Sequence, residues 1–175
     1  MSQLRVKLVR EMIASWNSND RDPDHLRLYL DPSIELSGPL ASVSGEPYRG
    51  IVGIERWMHG GLGPVLFARC GVRLHTHQRT AAVGPGRRSR LSGRLAGSYG
   101  DIVIAADELL DLRNGVVFGV YLQSAKLEGA AGRVTQREAM VAVIAEGLVE
   151  RLIIYPQAAI DDARGAAEQL AKERE

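Results

Sequence analysis

The chain has 175 residues, of which 45% are hydrophobic and 25% are charged, as is typical of one globular domain with a sizeable core. No window approaches the roughly 18 consecutive apolar residues of a membrane helix, and charged Arg5, Lys7, Arg10 and Glu11 interrupt the N-terminal region where a signal peptide would be apolar. We therefore expect no membrane insertion and no export, and the single cysteine, Cys70, excludes an internal disulfide and favours a cytoplasmic protein.

The N-terminal part predicts three helices and a short strand. Apolar residues recur at helical spacing from Leu4 to Trp16, which indicates an amphipathic helix. Asp22-Pro23 is typical of a helix start, and a second, short helix is expected to carry Leu26, Tyr29 and Leu30 inward before Asp31-Pro32 ends it. Ile34 to Ser37 alternates as a half-buried strand does, and a third helix is expected from Ile51.

The C-terminal part predicts an antiparallel meander followed by a closing helix. The expected turns lie at Arg113-Asn114-Gly115, at Glu128 to Gly132 and at Ala145-Glu146-Gly147, because asparagine and glycine tolerate a positive φ. The expected strands are Ile102 to Leu112, Val116 to Ala125, Val134 to Ile144 and Leu148 to Tyr155, and the helix starts at Ile160. Helices followed by an antiparallel sheet indicate an α+β domain.

Residues 60–100 differ in composition from the rest of the chain. Between Glu55 and Asp101 there is no acidic residue, and eight arginines give this stretch a charge of +8, whereas the remainder has 14 basic and 21 acidic residues. We interpret residues 60–100 as a poorly structured insertion in a single domain of residues 1–175. A locally erroneous sequence and a basic arm that binds nucleic acid are the alternatives, and the second is disfavoured because only Phe67 and Tyr99 are present for stacking.

Four stretches resemble the SnoaL-like polyketide cyclases of the nuclear transport factor 2-like superfamily. The stretches are Val9 to Asp20, Tyr29 to Leu36, Tyr48 to Trp57, and the meander from Asp101 to Tyr155. The resemblance implies a cone-shaped α+β barrel, in which helices pack on a strongly curved antiparallel sheet around an apolar cavity. It also implies a homodimer formed by the open sheet face, where Val117, Leu122 and Ile154 are the apolar candidates.

Two catalytic features of related branches of this superfamily are missing from the chain. The isomerase branch has a carboxylate immediately before the proline that follows the first short strand, and here that pair is Gly38-Pro39. Epoxide hydrolases of this fold use an Arg and an Asp two residues apart on one strand, whereas Arg137 and Glu138 are adjacent and are expected to point to opposite faces. The resemblance therefore implies neither the isomerase reaction nor the epoxide hydrolase reaction for this chain.

Glu138 is the remaining candidate for a catalytic residue, with Tyr121 and Gln123 on the neighbouring strand as orienting donors. A carboxylate in an apolar cavity has a raised pKa, which suits general acid or base catalysis. The alternative is that Glu138 lies on the outer face of the sheet and contacts solvent. Residues expected to line the cavity and contact a ligand are Trp16, Tyr29, Leu36, Trp57, Met140 and Tyr155.

No cofactor and no metal site are predicted. His75 and His77 lie two residues apart with Cys70 nearby, but a third ligand at suitable spacing is missing. The sequence thus predicts a domain that binds a small apolar or aromatic molecule, either as a proton-transfer enzyme of the cyclase or isomerase type or as a non-catalytic ligand-binding or protein-interaction module.

Overall fold

The computed structural model describes residues 2–17, 23–38, 46–60, 99–127 and 132–175. Among them, the helices are α1 (Ser2–Asn17), α2 (Pro23–Leu26), α3 (Gly50–Gly60) and α4 (Ile160–Glu173), the last preceded by a 3-10 turn at Gln157–Ala159. The strands are β1 (Leu30–Ser37), β2 (Tyr48–Arg49), β3 (Tyr99–Asp111), β4 (Val116–Leu127), β5 (Arg133–Ala145) and β6 (Leu148–Pro156). No helix in these ranges is long and apolar enough to span a membrane.

The strands form one open, mixed sheet in the order β2-β1-β6-β5-β4-β3. The predicted meander is confirmed, since β3, β4, β5 and β6 pair antiparallel with their neighbours in chain order. The sheet is not antiparallel throughout, however, because β1 runs parallel to β6. The order of strands alone did not reveal this pairing, which joins segments more than 100 residues apart.

The second helix is shorter than predicted, because it ends at Leu26 and Leu30 already begins β1. Pro32 therefore lies inside a strand. The register between β1 and β6 shifts between Leu30 and Glu35, so the missing N–H of Pro32 falls where the ladder is already irregular.

The hairpin between β3 and β4 forms at the predicted residues. Arg113, Asn114 and Gly115 all have positive φ. A Cβ at Gly115 would collide with the carbonyl oxygen of Ile144, and the Ile144 amide donates a 2.7 Å hydrogen bond to the Gly115 carbonyl oxygen. Glycine is therefore required for both conformation and space at this turn.

Helices cover both faces of the sheet and define two apolar clusters. The interior cluster joins α1 and α3 to one face and includes Met12, Ile54 and Leu152, all at most 1% exposed. The outer cluster packs three alanines of α4 against Phe118 and Val141 on the other face. Alternation along β4 assigns Val117 and Tyr121 to the interior cluster and Val116, Phe118 and Val120 to the outer one.

Several predictions concern residues outside the described ranges. These are most of the insertion at residues 60–100, the loop at residues 39–45, the turn at residues 128–131, and the candidates Cys70, His75 and His77.

Candidate functional site

Four polar side chains lie side by side on the interior face of the sheet. Tyr121 of β4 is the direct register partner of Glu138 of β5, and Gln123 is the partner of Gln136. All four are buried, and Glu138 is only 1% exposed. Because residues two apart on a strand share a face, the pairing brings these four residues together beneath α1 and α3.

Both oxygens of the Glu138 carboxylate accept hydrogen bonds. The Tyr121 hydroxyl donates to Oε2 over 2.6 Å, and the Gln136 amide Nε2 donates to Oε1 over 2.6 Å. These short bonds are typical of an ionised acceptor, and they stabilise a carboxylate that burial alone would penalise.

Burial perturbs the acid–base behaviour of this pair. Desolvation raises the pKa of Glu138, and the hydrogen bond from Tyr121 opposes that rise. Burial, together with the nearby Glu138 carboxylate, raises the pKa of Tyr121 well above its usual value. The arrangement therefore keeps Tyr121 as a hydrogen-bond donor and gives Glu138 a pKa above that of an exposed glutamate.

Two buried donors lack a partner in the described part of the chain. They are Nε2 of Gln123 and the indole Nε1 of Trp16. Trp16 also contacts the second tryptophan, Trp57, with ring centroids 6.1 Å apart and planes tilted by 54°.

Asn17 holds the end of α1 against the edge strand β3. Its side-chain amide donates to the carbonyl oxygen of Ile104 and its carbonyl oxygen accepts from the Ile104 amide, each over 2.7 Å. Ile104 is the register partner of Gln123, so this contact attaches the end of α1 to the strand beside the polar residues. The sequence did not indicate this role of Asn17.

The structure places most of the predicted ligand-contacting residues in the interior cluster. Trp16, Leu36, Trp57 and Met140 are buried there, and Tyr29 is partly buried against it. Tyr155 does not join them, because it alternates with Ile154 on β6 and packs with the outer cluster beside α4. Tyr155 is thus on the opposite face of the sheet from Glu138, and the expectation that it lines the interior is wrong.

The alternative of an outward-facing Glu138 is also wrong. Its neighbour Arg137 takes the outer position instead, where it forms a 2.7 Å ion pair with Asp107. The interior location of Glu138 follows from the burial pattern of β5, in which its own face is buried from Gln136 onward. Gln136 was not predicted as a site residue. Its position two residues before Glu138 on the same strand indicates that both side chains lie on the same face.

A side chain at Gly38, the position of the isomerase-type carboxylate, would be crowded against β6. A Cβ at this position would lie 3.0 Å from both the Cβ and the carbonyl oxygen of Ile154. The end of β1 packs too closely on β6 to accept a larger side chain without displacement of the strand.

A surface groove of about 800 Å³ lies elsewhere, beside β2 and α3. Its lining residues are Glu46, Pro47, Tyr48, Arg49, Val52, Gly53 and Arg56. None of the predicted site residues lines it, and its two arginines and one glutamate give it a mixed charge. Within the described ranges, no three His, Cys, Asp or Glu side chains are grouped so that they could hold a metal ion.

No protein-family model matches the chain, and no curated protein matches it. Solved structures do resemble it. A candidate SnoaL-like polyketide cyclase from Jannaschia sp. CCS1 is 11% identical with a TM-score of 0.58, over 95% of this chain and 93% of that protein. TerC, co-crystallised with polyporic acid, is 12% identical with a TM-score of 0.56, over 95% of this chain and 98% of TerC.

An NTF2-like protein of unknown function from Burkholderia pseudomallei K96243 is 13% identical with a TM-score of 0.58. That match covers 94% of this chain and 97% of the Burkholderia protein. At such low identity, the structural similarity shows only that the folds are alike. The mixed sheet and the helices described above agree with this. The chain therefore has the α+β cone fold of these solved SnoaL-like and NTF2-like structures.

Proposed function

We propose that the protein binds a small, largely apolar or aromatic molecule against the interior face of the sheet and that Glu138 transfers a proton within it. The reaction is of the isomerase or cyclase type. The observation that carries this proposal is the buried Glu138 carboxylate, hydrogen-bonded to Tyr121 over 2.6 Å, with Tyr121 itself in the apolar interior cluster. Groups with a perturbed pKa and a specific polar partner are enriched at catalytic sites.

In this mechanism Glu138 acts first as a base. Its carboxylate removes a proton from a carbon next to a carbonyl group, and the electron pair of the broken C–H bond moves onto the carbonyl oxygen. In an isomerisation, Glu138 then returns the proton to a different carbon. In a cyclisation, the enolate carbon attacks a second carbonyl carbon of the same molecule, the π bond of that carbonyl breaks onto its oxygen, and this oxygen takes the proton from Glu138. Tyr121 and Gln136 orient the carboxylate throughout, because they hold one oxygen each.

Two further observations support an aromatic or apolar ligand. Trp16 and Trp57 present adjoining rings within the same cluster as Tyr121 and Met140. TerC, which has a similar fold, was co-crystallised with a small molecule, polyporic acid. The two indole rings of this chain suit stacking against a flat ligand.

The test uses 2-tetralone, a flat aromatic ketone with acidic protons next to its carbonyl group. Exchange of these protons in buffered deuterium oxide is followed by NMR for the wild type, Glu138→Gln and the surface control Glu11→Gln. We expect the wild type and the control to accelerate exchange equally and Glu138→Gln to lose about 100-fold or more of that acceleration. Exchange that is equally fast with Glu138→Gln contradicts the catalytic role.

A second candidate function is a non-catalytic ligand-binding or protein-interaction module. It is favoured by one observation: both Glu138 oxygens are already satisfied, and the side chain is only 1% exposed. A structural carboxylate of this kind predicts 2-tetralone binding that is independent of Glu138 and no catalysed exchange. The same NMR samples therefore distinguish the two functions.

We also propose that the chain is a cytoplasmic homodimer formed by the part of the outer sheet face that α4 leaves uncovered. Val103 and Leu122 are 45% and 38% exposed there, and they are diagonal neighbours across β3 and β4. Val117 and Ile154 do not contribute, because both are buried in the interior cluster.

The proposed cytoplasmic location is supported by the single cysteine, and cell fractionation tests it.

The single-domain organisation, with residues 60–100 as an interruption, is a further proposal. Its support is that α3 before the segment and β3 after it both pack in the interior cluster, through Trp57 and Ile104. Deletion of residues 61–98 followed by thermal unfolding tests it. A small change in midpoint is expected, and a large loss of stability would mean that the segment belongs to the core.

A further inference from the structure

The turn between β3 and β4 contains the sole Asn-Gly pair of the sequence, Asn114-Gly115. The backbone nitrogen that follows an asparagine can attack the side-chain carbonyl carbon of that asparagine, and a glycine nitrogen does so most readily because glycine has no Cβ to hinder the approach. The other two asparagines, Asn17 and Asn19, are followed by serine and aspartate. The sequence therefore makes Asn114 the asparagine most prone to deamidation.

The folded turn restricts the rotation that this attack needs. Asn114 and Gly115 have φ angles of 46° and 81°, as the two central residues of a type I′ turn have. The Val116 amide closes the turn with a 2.8 Å hydrogen bond to the carbonyl oxygen of Arg113. The carbonyl oxygen of Gly115 accepts a second bond, over 2.7 Å, from the Ile144 amide. Both bonds oppose rotation of the peptide unit that joins Asn114 to Gly115.

The C-terminal end of α4 holds the side chain of Asn114. Its Nδ2 donates a 2.8 Å hydrogen bond to the carbonyl oxygen of Ala171, one of the last carbonyl groups of α4. Arg174 donates from Nε to the backbone carbonyl oxygen of Asn114 over 3.2 Å and forms a 2.9 Å ion pair with Glu150 of β6. The amide group that leaves in a deamidation is thus the group that attaches α4 to the turn.

We propose that Asn114 is a deamidation site that the packed α4 protects, and that deamidation weakens the attachment of α4. The Gly115 nitrogen forms a bond to the side-chain carbonyl carbon of Asn114, and the bond from that carbon to Nδ2 breaks. Nδ2 leaves as ammonia with the proton of the Gly115 amide. Water then opens the cyclic imide at either of its carbonyl groups, which gives an aspartate or an isoaspartate.

The product has an unfavourable charge for its position. A carboxylate cannot donate a hydrogen bond to the carbonyl oxygen of Ala171, and it places negative charge at the negative end of the helix dipole of α4. The three alanines that pack α4 on the sheet bury little apolar area, so polar contacts contribute a larger share of its attachment. A chain in which α4 detaches is therefore converted to a form in which α4 packs less tightly.

The first test compares the folded chain with the chain unfolded in guanidinium chloride, both incubated at mildly alkaline pH. Peptide mass spectrometry measures deamidation at each asparagine, with Asn17 and Asn19 as internal references. We expect Asn114 to react fastest in the unfolded chain and to react about tenfold or more slowly in the folded chain, because the reaction there needs local opening. Equal rates at Asn114 in the two states, or faster reaction at Asn17 or Asn19 in the unfolded chain, overturn the proposal.

Two substitutions on α4 assign the protection to this helix. Ala167→Glu places a charge on the buried face of α4, where Ala167 is 0% exposed, whereas Ala166→Glu makes the same change at an exposed position. We expect Ala167→Glu alone to bring the deamidation rate of Asn114 close to that of the unfolded chain. Equal protection in the two variants overturns the role of α4. Where Ala167→Glu does not fold, Arg174→Gln takes its place, and an unchanged rate at Asn114 in that variant is equally contradictory.

Asn114→Asp tests the effect of the product. We expect amide hydrogen exchange at Ala171 and Lys172, in the last turn of α4, to accelerate about tenfold. Exchange at Ile154 of β6 is the internal control and should not change. Unchanged exchange at Ala171 and Lys172 overturns the proposed weakening of α4. Neither test involves a ligand or Glu138, so the result is independent of the proposed reaction.

Discussion

The hydroxyl of Tyr121 donates a 2.6 Å hydrogen bond to Oε2 of Glu138 across directly paired positions of β4 and β5. The two residues are 17 apart in sequence and both almost fully buried. The bond places a carboxylate with a raised pKa beside an un-ionised phenol on the interior face of the sheet. This relationship determines how the protein should respond to pH and to substitution.

The free energy of unfolding should decrease as the pH rises, because the pKa of buried Glu138 is raised in the folded chain. A group whose pKa is higher in the folded than in the unfolded chain stabilises the fold below its ordinary pKa, and this contribution is lost as the pH rises through the raised value. Glu138→Gln should remove this slope and be more stable than the wild type at the upper end of that range. Urea unfolding across the pH range measures it, with Glu11→Gln as the control. Parallel curves for wild type and Glu138→Gln would contradict the prediction.

Tyr121→Phe should be destabilising and should raise the pKa of Glu138 further. The substitution leaves one buried carboxylate oxygen without its donor, which costs about 1–3 kcal/mol. It also removes the hydrogen bond that opposes the effect of burial on that pKa. Urea unfolding at several pH values tests both effects. Loss of stability without a change in pH dependence would mean that the hydrogen bond does not control the titration.

Asn17→Ala should weaken the attachment of α1 to β3. Two 2.7 Å hydrogen bonds to the Ile104 backbone are lost, at a cost of about 1–3 kcal/mol in the free energy of unfolding. Amide hydrogen exchange at Ile104 should accelerate as well. Gln3→Ala, an exposed change on the same helix, is the control, and equal effects of the two variants would contradict the assigned role.

Gly38→Asp should not create an isomerase-type base. The new side chain would begin 3.0 Å from Ile154, so the end of β1 must move away from β6 and stability should fall by about 1–3 kcal/mol. Gly38→Ala separates the steric effect from the charge and should show part of the loss. The measurements are urea unfolding and 2-tetralone exchange. Faster exchange with Gly38→Asp would show that the strand does accommodate a second carboxylate.

Leu122→Glu should convert the proposed dimer into a monomer. The change places a charge at the centre of the uncovered outer face, next to Val103, without disturbing the interior cluster. Analytical ultracentrifugation of wild type and variant measures the effect. Val52→Glu, at an exposed position of α3 away from the sheet, is the matched control. A monomeric wild type refutes the proposed dimer outright.

The sequence allowed a correct prediction of most local structure. Apolar spacing located α1, and the Arg113-Asn114-Gly115 turn and the alternation around Glu138 located the hairpins of the meander. These predictions succeeded because helical and strand periodicity and positive φ are properties of a few neighbouring residues. Glu138, Tyr121 and Gln123 could be grouped for the same reason, since a short hairpin limits the register between its two strands.

Only the tertiary structure decided the relationships between distant segments. The parallel pairing of β1 with β6, the two hydrogen bonds from Asn17 to Ile104, and the position of Tyr155 on the outer face depend on which surfaces meet when the chain folds. The same is true of the close packing of Gly38 on Ile154. The spacing of apolar residues determines which face of its own helix or strand a side chain lies on. Which other helix or strand packs against that face depends on the packing of the whole domain.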